Sequence, residues 1–241
     1  MAGRTLLVLA GGFGTRLRTA VADVPKPLAP VGGRPFLHYA IENWRRQGVG
    51  RLVLLLHHQA GLIAESLAAH PPLTAGLQID VAVEPQPLGT GGAIAHAVRR
   101  CELAGTFMVA NADTWLGSGI DALADAPAPA VGMVRVDRVE RYGSLGVEGD
   151  RIVAFAEKAS HGEESRPGSG WINAGLYRFD AGPFGAWDGS PFSLERDLLP
   201  TLAARGTLRG VPLDTDFIDI GVPQDYARFC RWMESGKAGS L

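Results

Sequence analysis

Apolar runs of strand length alternate with stretches of helical period through the first half of the chain. Thr5–Ala10 is nearly all apolar, the pattern of a strand covered on both faces, and Arg51–Leu56 and Phe107–Ala110 repeat it. Between the first two, Leu37, Ala40, Ile41 and Trp44 recur at i, i+3, i+4 and i+7 behind Pro35, which suits a first helical position. Ile63 and Leu67 predict a second short helix, Ile79–Val83 a third strand, and Thr90 a cap for a helix over Gly91–Arg100. Such alternation predicts an α/β domain on a mostly parallel sheet with right-handed crossovers. From about Val131 the texture changes to Gly-rich short strands, and Leu145–Val147 and Arg151–Phe155 flank Glu148-Gly149-Asp150 as a hairpin flanks its turn. Leu194, Leu198 and Leu202 form one helical stripe; Tyr226, Phe229, Cys230 and Met233, after Pro223, form another, and both read as core. There is no internal repeat, Ser160–Ser169 reads as a polar loop, and Gly236–Leu241 as a frayed tail. The expectation is one domain over 1–241, with halves of about 1–130 and about 131–235 on one continuous sheet.

Composition narrows the partners. The 241 residues are 46% apolar and 20% charged, an ordinary balance for a chain that buries a core. Lys plus Arg number 23 against 25 Asp plus Glu, so a net charge of −2 offers no basic field for nucleic acid. Leu6–Ala10 is far short of a membrane span or the apolar core of a secretion signal, which predicts a cytoplasmic protein with no membrane partner. Cys101 and Cys230, both in expected helices and neither in a Cys-x-x-Cys, read as buried or free thiols in a reducing compartment.

The first strand runs into Leu9-Ala10-Gly11-Gly12-Phe13-Gly14-Thr15-Arg16-Leu17. Glycines there let successive backbone N–H groups approach a ligand, an arrangement that binds phosphate. The dinucleotide fingerprint needs a third glycine where Leu17 stands, and the P-loop needs Gly-Lys where Arg16-Leu17 stands, so both fail. What remains is a glycine loop with one cation, Arg16, followed ten residues later by Lys26 in Asp23-Val24-Pro25-Lys26-Pro27. Two prolines would hold that lysine in a stiff, extended segment and lower the entropy lost in aiming it; a plain turn with a surface lysine fits the same residues.

Together these segments resemble the sugar-1-phosphate nucleotidylyltransferases, and the resemblance covers nearly the whole chain. Further family-like segments follow in order: Glu84-Pro85-Gln86-Pro87-Leu88-Gly89-Thr90-Gly91-Gly92-Ala93, Asn111-Ala112-Asp113, Glu157-Lys158, Asn173-Ala174-Gly175-Leu176-Tyr177 and Phe217-Ile218-Asp219-Ile220-Gly221. Arg16-Leu17-Arg18, Asp23 to Pro27 and Pro87 to Ile94 are similar to those of the D-glycero-D-manno-heptose 1-phosphate guanylyltransferases. The resemblance implies a Rossmann-like mixed, mostly parallel sheet flanked by helices, the nucleotide-diphospho-sugar transferase fold. It implies a reaction in which a sugar-phosphate oxygen attacks the α-phosphorus of a nucleoside triphosphate and pyrophosphate leaves. A phosphate monoester is largely ionised at neutral pH, since its second pKa is about 6, so no general base is required. The task is to gather anions with cations and oriented N–H groups.

By the same resemblance, Arg16, Lys26 and Asp113 are the catalytic set. Leu9, Ala10, Gly11, Gly12, Gly14, Thr15, Arg16, Lys26, Glu84, Pro87, Gly89 and Thr90 bind the nucleotide, and the first half of the chain is its half. Gly146, Glu157, Lys158, Asn173 and Asp219 bind the sugar phosphate in the second half. Asp113 and Asp219 hold Mg²⁺, an ion that one or two carboxylates plus phosphate oxygens suffice to bind; alone, either aspartate also reads as a turn or cap residue. Two departures from the family pattern are Ala159 after the lysine, where proline is common, and Ala112 before the aspartate, where glycine is common.

The base can be argued one step further. Guanine offers N1–H and an amine on one edge, two donors that a carboxylate accepts together, and Glu84 stands where several pyrimidine-using relatives carry glutamine. GTP is therefore the favoured nucleotide and a heptose 1-phosphate the favoured acceptor, giving a GDP-heptose for a surface polysaccharide. Other readings are a mannose-1-phosphate guanylyltransferase, a uridylyl- or thymidylyltransferase on another sugar 1-phosphate, and a non-catalytic sugar-nucleotide-binding regulator. A homo-oligomer is compatible with all of them. His57 and His58, adjacent at a strand end, point to opposite faces and read as loop-edge residues, and Asp214-Thr215-Asp216 is too short a pattern to displace Asp219 as the second metal acid.

Overall fold

The computed structural model describes residues 3–12, 17, 21, 24–139, 142, 144–156 and 168–236. The chain opens with β1 (Arg4–Leu9), a single 3₁₀ turn at Lys26–Leu28, the small hairpin β2 (Pro30–Val31) and β3 (Arg34–Pro35), and α1 (Phe36–Arg46). There follow β4 (Val49–Leu56), α2 (Ala60–Ala68), α3 (Pro71–Thr74), β5 (Gln78–Val83), α4 (Gly89–Arg100), β6 (Thr106–Asn111), β7 (Thr114–Leu116) and α5 (Ile120–Asp125). The later part comprises β8 (Ala130–Val136), β9 (Ser144–Glu148), β10 (Arg151–Ala156), β11 (Gly170–Asp180) and α6 (Gly182–Gly185). A π turn at Leu194–Leu198, α7 (Leu199–Ala204), β12 (Arg209–Pro212), β13 (Phe217–Asp219) and α8 (Pro223–Glu234) complete it.

One nine-stranded sheet in the order β5-β4-β1-β6-β11-β8-β12-β10-β9 carries both halves of the chain. Its first four strands are mutually parallel, and β11 enters antiparallel to β6 and to β8. Among the described strands of this sheet only β10 and β11 run against the rest. A second pairing, of β9 with the start of β11, closes β11, β8, β12, β10 and β9 on themselves.

The near-continuous apolar strands follow from burial on both faces. Leu6 and Val8 pack into one core with Leu52, Leu54 and Leu56, while Leu7 packs into the other with Val53 and Leu55. Helix α1 buries Leu37, Ala40, Ile41 and Trp44 as its spacing predicts, although Pro35 stands just outside the helix, at its N-cap. The 148–150 turn joins β9 to β10 with Gly149 at φ +60°.

Three further expectations are corrected. The leucine stripe does not run straight: the π turn advances the register by one residue, so Leu194, Leu199 and Ala203 are buried while Leu198 and Leu202 are half-buried. Thr90 is not a cap, because α4 begins at Gly89 and makes no side-chain cap bond. Cys101 lies just past the last residue of α4, and both thiols are free and half-buried. Ser160–Ser169 and Gly236–Leu241 lie almost wholly outside the described residues.

Candidate active site

The parallel strands end on one crest, where loops of open α/β sheets gather ligands. A cleft of about 420 Å³ opens there. Its floor is Leu9–Gly12, fixed by Ala10 N–H to the Leu55 carbonyl (3.0 Å) and by Ala112 N–H to the Leu9 carbonyl (3.1 Å). Lys26 and Pro27 form one wall, Glu84, Pro87, Gly89 and Thr90 another, and Asn111, Ala112, Asp113, Glu195 and Gly221 close it. The sequence places these groups far apart; the sheet brings them together.

The charge centre is Lys26. Its Nζ donates to Asp113 Oδ2 and stands 3.7 Å from Asp219 Oδ1. The lysine does not lie in an extended segment as expected. Pro25 is extended (φ −57°, ψ 141°), but Lys26 starts a 3₁₀ turn closed by Leu28 N–H to the Pro25 carbonyl at 2.8 Å. The two acids converge through pairing: β7 and β13 are antiparallel with Thr114 opposite Asp219, and Ile220 N–H donates to the Asp113 carbonyl at 2.9 Å. Asp219 Oδ1 also accepts from Gly221 N–H at 2.7 Å. A side chain on Gly221 would stand 2.7 Å from that oxygen and 2.8 Å from Lys26 Nζ, so only glycine leaves the cluster undisturbed. The lysine side chain is 11% exposed and the aspartates 32% and 30%, so the acids face the opening.

Glu84 is buried at the end of β5. Its Oε2 accepts from Leu88 N–H at 2.8 Å and its own N–H donates to the Leu56 carbonyl at 2.8 Å. Burial pushes its carboxyl up from the ordinary glutamate range, against the pull of the Leu88 N–H and of His57 and His96. Gly11 is glycine for space: a Cβ would lie 2.8 Å from Glu84 Oε1.

The glycines after Leu88 serve a contact that the motif reading does not supply. Gly91 and Gly92 N–H groups donate to the Phe192 carbonyl (3.0 and 3.3 Å), so they are engaged by protein. Gly89 has φ +73°, and a Cβ there would lie 2.5 Å from the same oxygen; at Gly91 it would lie 2.1 Å from the Phe192 ring. Thr90 Oγ1 accepts from Leu194 N–H (2.8 Å) and donates to Glu195 Oε2 (2.6 Å).

Leu9, Ala10, Gly11, Gly12, Lys26, Glu84, Pro87, Gly89, Thr90 and Asp113 thus share one cleft, with Asp219 at the ion cluster on its wall. Asn173 and Gly146 do not line it. The Asn173 amide is engaged inside β11, donating to the Tyr177 hydroxyl at 2.9 Å and accepting from Gly175 N–H at 2.9 Å, and Gly146 faces Ala154 across the β9–β10 hairpin. Gly14, Thr15, Arg16, Glu157 and Lys158 lie outside the described residues. His57, expected at a loop edge, lines the cleft, its Nδ1 3.3 Å from the Glu84 carbonyl. Asp214, Thr215 and Asp216 line a separate cavity beside Arg138 and Tyr142. Asn111, Glu195 and Gly221 were not assigned from sequence; Gly221 sits in a quoted motif, whereas nothing near Glu195 in sequence signals its docking on α4.

Among known proteins, a family described as nucleotidyl transferase matches residues 5–234. The chain is 31% identical over 228 residues to a D-glycero-alpha-D-manno-heptose 1-phosphate guanylyltransferase of Aneurinibacillus thermoaerophilus, covering 92% of this chain and 95% of that one. It is 32% identical over 231 residues to a mannose-1-phosphate guanylyltransferase of Mycobacterium tuberculosis, covering 92% of this chain but 62% of that one. The crystal structure of HddC from Yersinia pseudotuberculosis superposes with a TM-score of 0.82 at 34% identity, covering 95% of this chain and 99% of the other. The same protein complexed with GMP-PN gives 0.81 at the same identity and coverage. With this match over most of its length, the chain belongs to the nucleotidyl transferase family and is an enzyme of the sugar-1-phosphate nucleotidyltransferase kind.

Proposed function

We propose that the enzyme transfers a guanylyl group from GTP to D-glycero-α-D-manno-heptose 1-phosphate in the cytoplasm, releasing pyrophosphate and giving a GDP-heptose for a surface polysaccharide. The observation that carries the reading is the convergence of Lys26, Asp113 and Asp219 at the cleft wall. The bond formed joins a sugar-phosphate oxygen to the α-phosphorus, and the bond broken releases pyrophosphate. The nucleophile is already anionic, so this chain's residues act by holding two anions together rather than by moving a proton. Lys26, in its short proline-flanked turn, places an ammonium against the reacting phosphate. Gly11 and Gly12 present main chain to the nucleotide phosphates, and Arg16 is assigned to those that depart.

Asp113 and Asp219 fit a divalent cation. They already collect one positive charge between them and face the opening, and hard-oxygen donors of this kind are what Mg²⁺ takes when phosphates complete its shell. Mg²⁺ bound there would supply neutralisation of the nucleotide charge. Glu84 is assigned to the N1–H and amine of guanine, at the β5 end of the cleft, and Lys158 and Glu157 to the sugar phosphate. The heptose reading is supported by relatives of that name that match along nearly their full length. A mannose 1-phosphate acceptor is the second reading, favoured by the 32% identity to an enzyme of that name.

Pyrophosphate release over a matrix of GTP, ATP, UTP, CTP and dTTP against heptose, mannose and glucose 1-phosphates tests this. GTP with the heptose ester is expected to give the highest kcat/KM. A pyrimidine triphosphate winning overturns the base assignment, and a hexose ester winning overturns the acceptor.

A further inference from the structure

Glu195 is a carboxylate in a cleft that receives two phosphorylated substrates, and the protein takes some trouble to put it there. Phe192 N–H donates to the Leu88 carbonyl (3.0 Å), the Phe192 carbonyl accepts from Gly91 and Gly92, and Leu194 N–H donates to Thr90 Oγ1, so the segment is clasped onto the start of α4. The clasp requires glycine at 89 and 91, as the Cβ positions there show. At its end, Glu195 Oε2 accepts from Thr90 Oγ1 at 2.6 Å and from Ser193 Oγ at 3.1 Å. Oε1 makes no hydrogen bond to a described residue, while Glu195 lines the cleft.

A carboxylate beside the site of two anionic reactants faces either a cation or an uncharged part of a ligand, and in the reading above the cation belongs to Asp113 and Asp219. The uncharged donors that the two substrates offer are the guanine N1–H and amine, which Glu84 takes in that reading, and hydroxyls. Two sources share that chemistry, the ribose of the nucleotide and the ring of the sugar 1-phosphate, and position along the crest separates them. Glu84 stands at the end of β5, the sheet edge, and β4 and β1 come before β6 and Asp113. Glu195 reaches the cleft from the other side: Thr90 holds it at the start of α4, but its neighbour Leu194, with Leu199, is buried in one core with Ile152 of β10 and Tyr177 and Phe179 of β11. A nucleotide with its base at Glu84 and its phosphates at Gly11 and Lys26 leaves the β11 side to the acceptor.

We infer that Glu195 is a specificity-determining residue for the acceptor: Oε1 accepts a hydrogen bond from a ring or side-arm hydroxyl of the sugar 1-phosphate, while Thr90 and Ser193 fix Oε2. The inference rests on the guanylyltransferase reading above. No proton leaves the hydroxyl; the contact selects and orients.

Glu195→Gln keeps the size and an oxygen for Thr90 but turns a donor toward the hydroxyl. Steady-state pyrophosphate release by wild type and variant, varying GTP and the sugar 1-phosphate separately, reads the effect. KM for the sugar 1-phosphate is expected to rise roughly tenfold to a hundredfold, the span of a lost hydrogen bond to a charged group, with KM for GTP and the melting temperature unchanged. Among deoxy analogues of the sugar 1-phosphate, one should be discriminated against by wild type and accepted equally by the variant. A rise in the GTP KM alone assigns the carboxylate to ribose and overturns the inference. Unchanged constants, or rises in both KM values together with a lower melting temperature, also overturn it. If wild type releases no pyrophosphate from any pair, the function reading fails instead, and the two failures are distinct.

Discussion

Gly221→Ala separates the catalytic use of the Lys26 cluster from its structural use. The added methyl would sit 2.7 Å from Asp219 Oδ1 and 2.8 Å from Lys26 Nζ. An ordinary van der Waals contact begins at 3.4 Å, so each atom must retreat by roughly 0.6–0.7 Å, taken as the difference of those distances. Both are the far ends of flexible side chains, so retreat is cheap for the fold. The φ at Gly221 lies outside the left-handed region, and alanine at a compatible position restricts the unfolded chain, worth about 0.4–1 kcal/mol in favour of folding. Catalysis has no such slack: misplacement on the order of 1 Å costs about a hundredfold in rate. The variant should melt no lower than wild type by more than a few degrees while kcat for pyrophosphate release, at saturating GTP and sugar 1-phosphate, falls between about tenfold and about a hundredfold. Full turnover by a folded Gly221→Ala protein would refute the placement of the reacting phosphates at this cluster.

Three further outcomes follow from two buried titratable groups. Glu84→Gln keeps the shape at the β5 end but removes the acceptor pair. The preference for GTP over UTP should shrink by roughly tenfold to a hundredfold on the scale of one bidentate base contact, and an unchanged preference in competition assays assigns base choice elsewhere. Because burial raises the Glu84 carboxyl, KM for GTP in wild type should climb on acidification sooner than an ordinary glutamate would make it, and Glu84→Gln should abolish that rise. His38 is held neutral, with its pKa lowered to about 4 first by burial and then by His70, whose ring centroid is 4.5 Å away, and by Arg34, against the opposing pull of Glu42. Its folded pKa lies below its unfolded one, so the stability gained by keeping it neutral is complete above the ordinary value of 6.5 and is lost as pH falls toward 4. The loss is about 3 kcal/mol at 1.36 kcal/mol per pH unit. Denaturant melts at several pH values should show this slope in wild type and a flatter one in His38→Asn; parallel profiles would count against it.

Much of the first half of the chain was legible because its physics is local. Strands buried on both faces must be almost wholly apolar, as Thr5–Ala10 and Arg51–Leu56 are, and α1 carries its buried face as a plain i, i+3, i+4, i+7 repeat. Hydrophobic spacing could not show where two elements shift register. The π turn at Leu194–Leu198 rotates the stripe and buries Leu199 in place of Leu198. At the site, the family resemblance pointed to Lys26, Asp113 and Asp219, where residue type alone left turn or cap readings open, and their meeting depends on the β7–β13 pairing between segments about a hundred residues apart. Glu195 was invisible for the same reason: its place in the cleft is set by Phe192 docking on the glycines of α4, a contact between segments 104 and 105 residues apart at Leu194 and Glu195. Thr90 looked like a helix cap because caps and clasps use the same hydroxyl.

The central claim is that Lys26, Asp113 and Asp219 form one centre that gathers the reacting phosphates. Its most direct test is the turnover of Asp113→Asn measured across a Mg²⁺ titration, alongside the circular dichroism melt of the same protein. The account predicts an intact fold, a loss of about a hundredfold or more in kcat, the scale of one electrostatic stabiliser, and a higher Mg²⁺ concentration for half-maximal rate. A folded variant that turns over at near wild-type rates with unaltered Mg²⁺ dependence would contradict it.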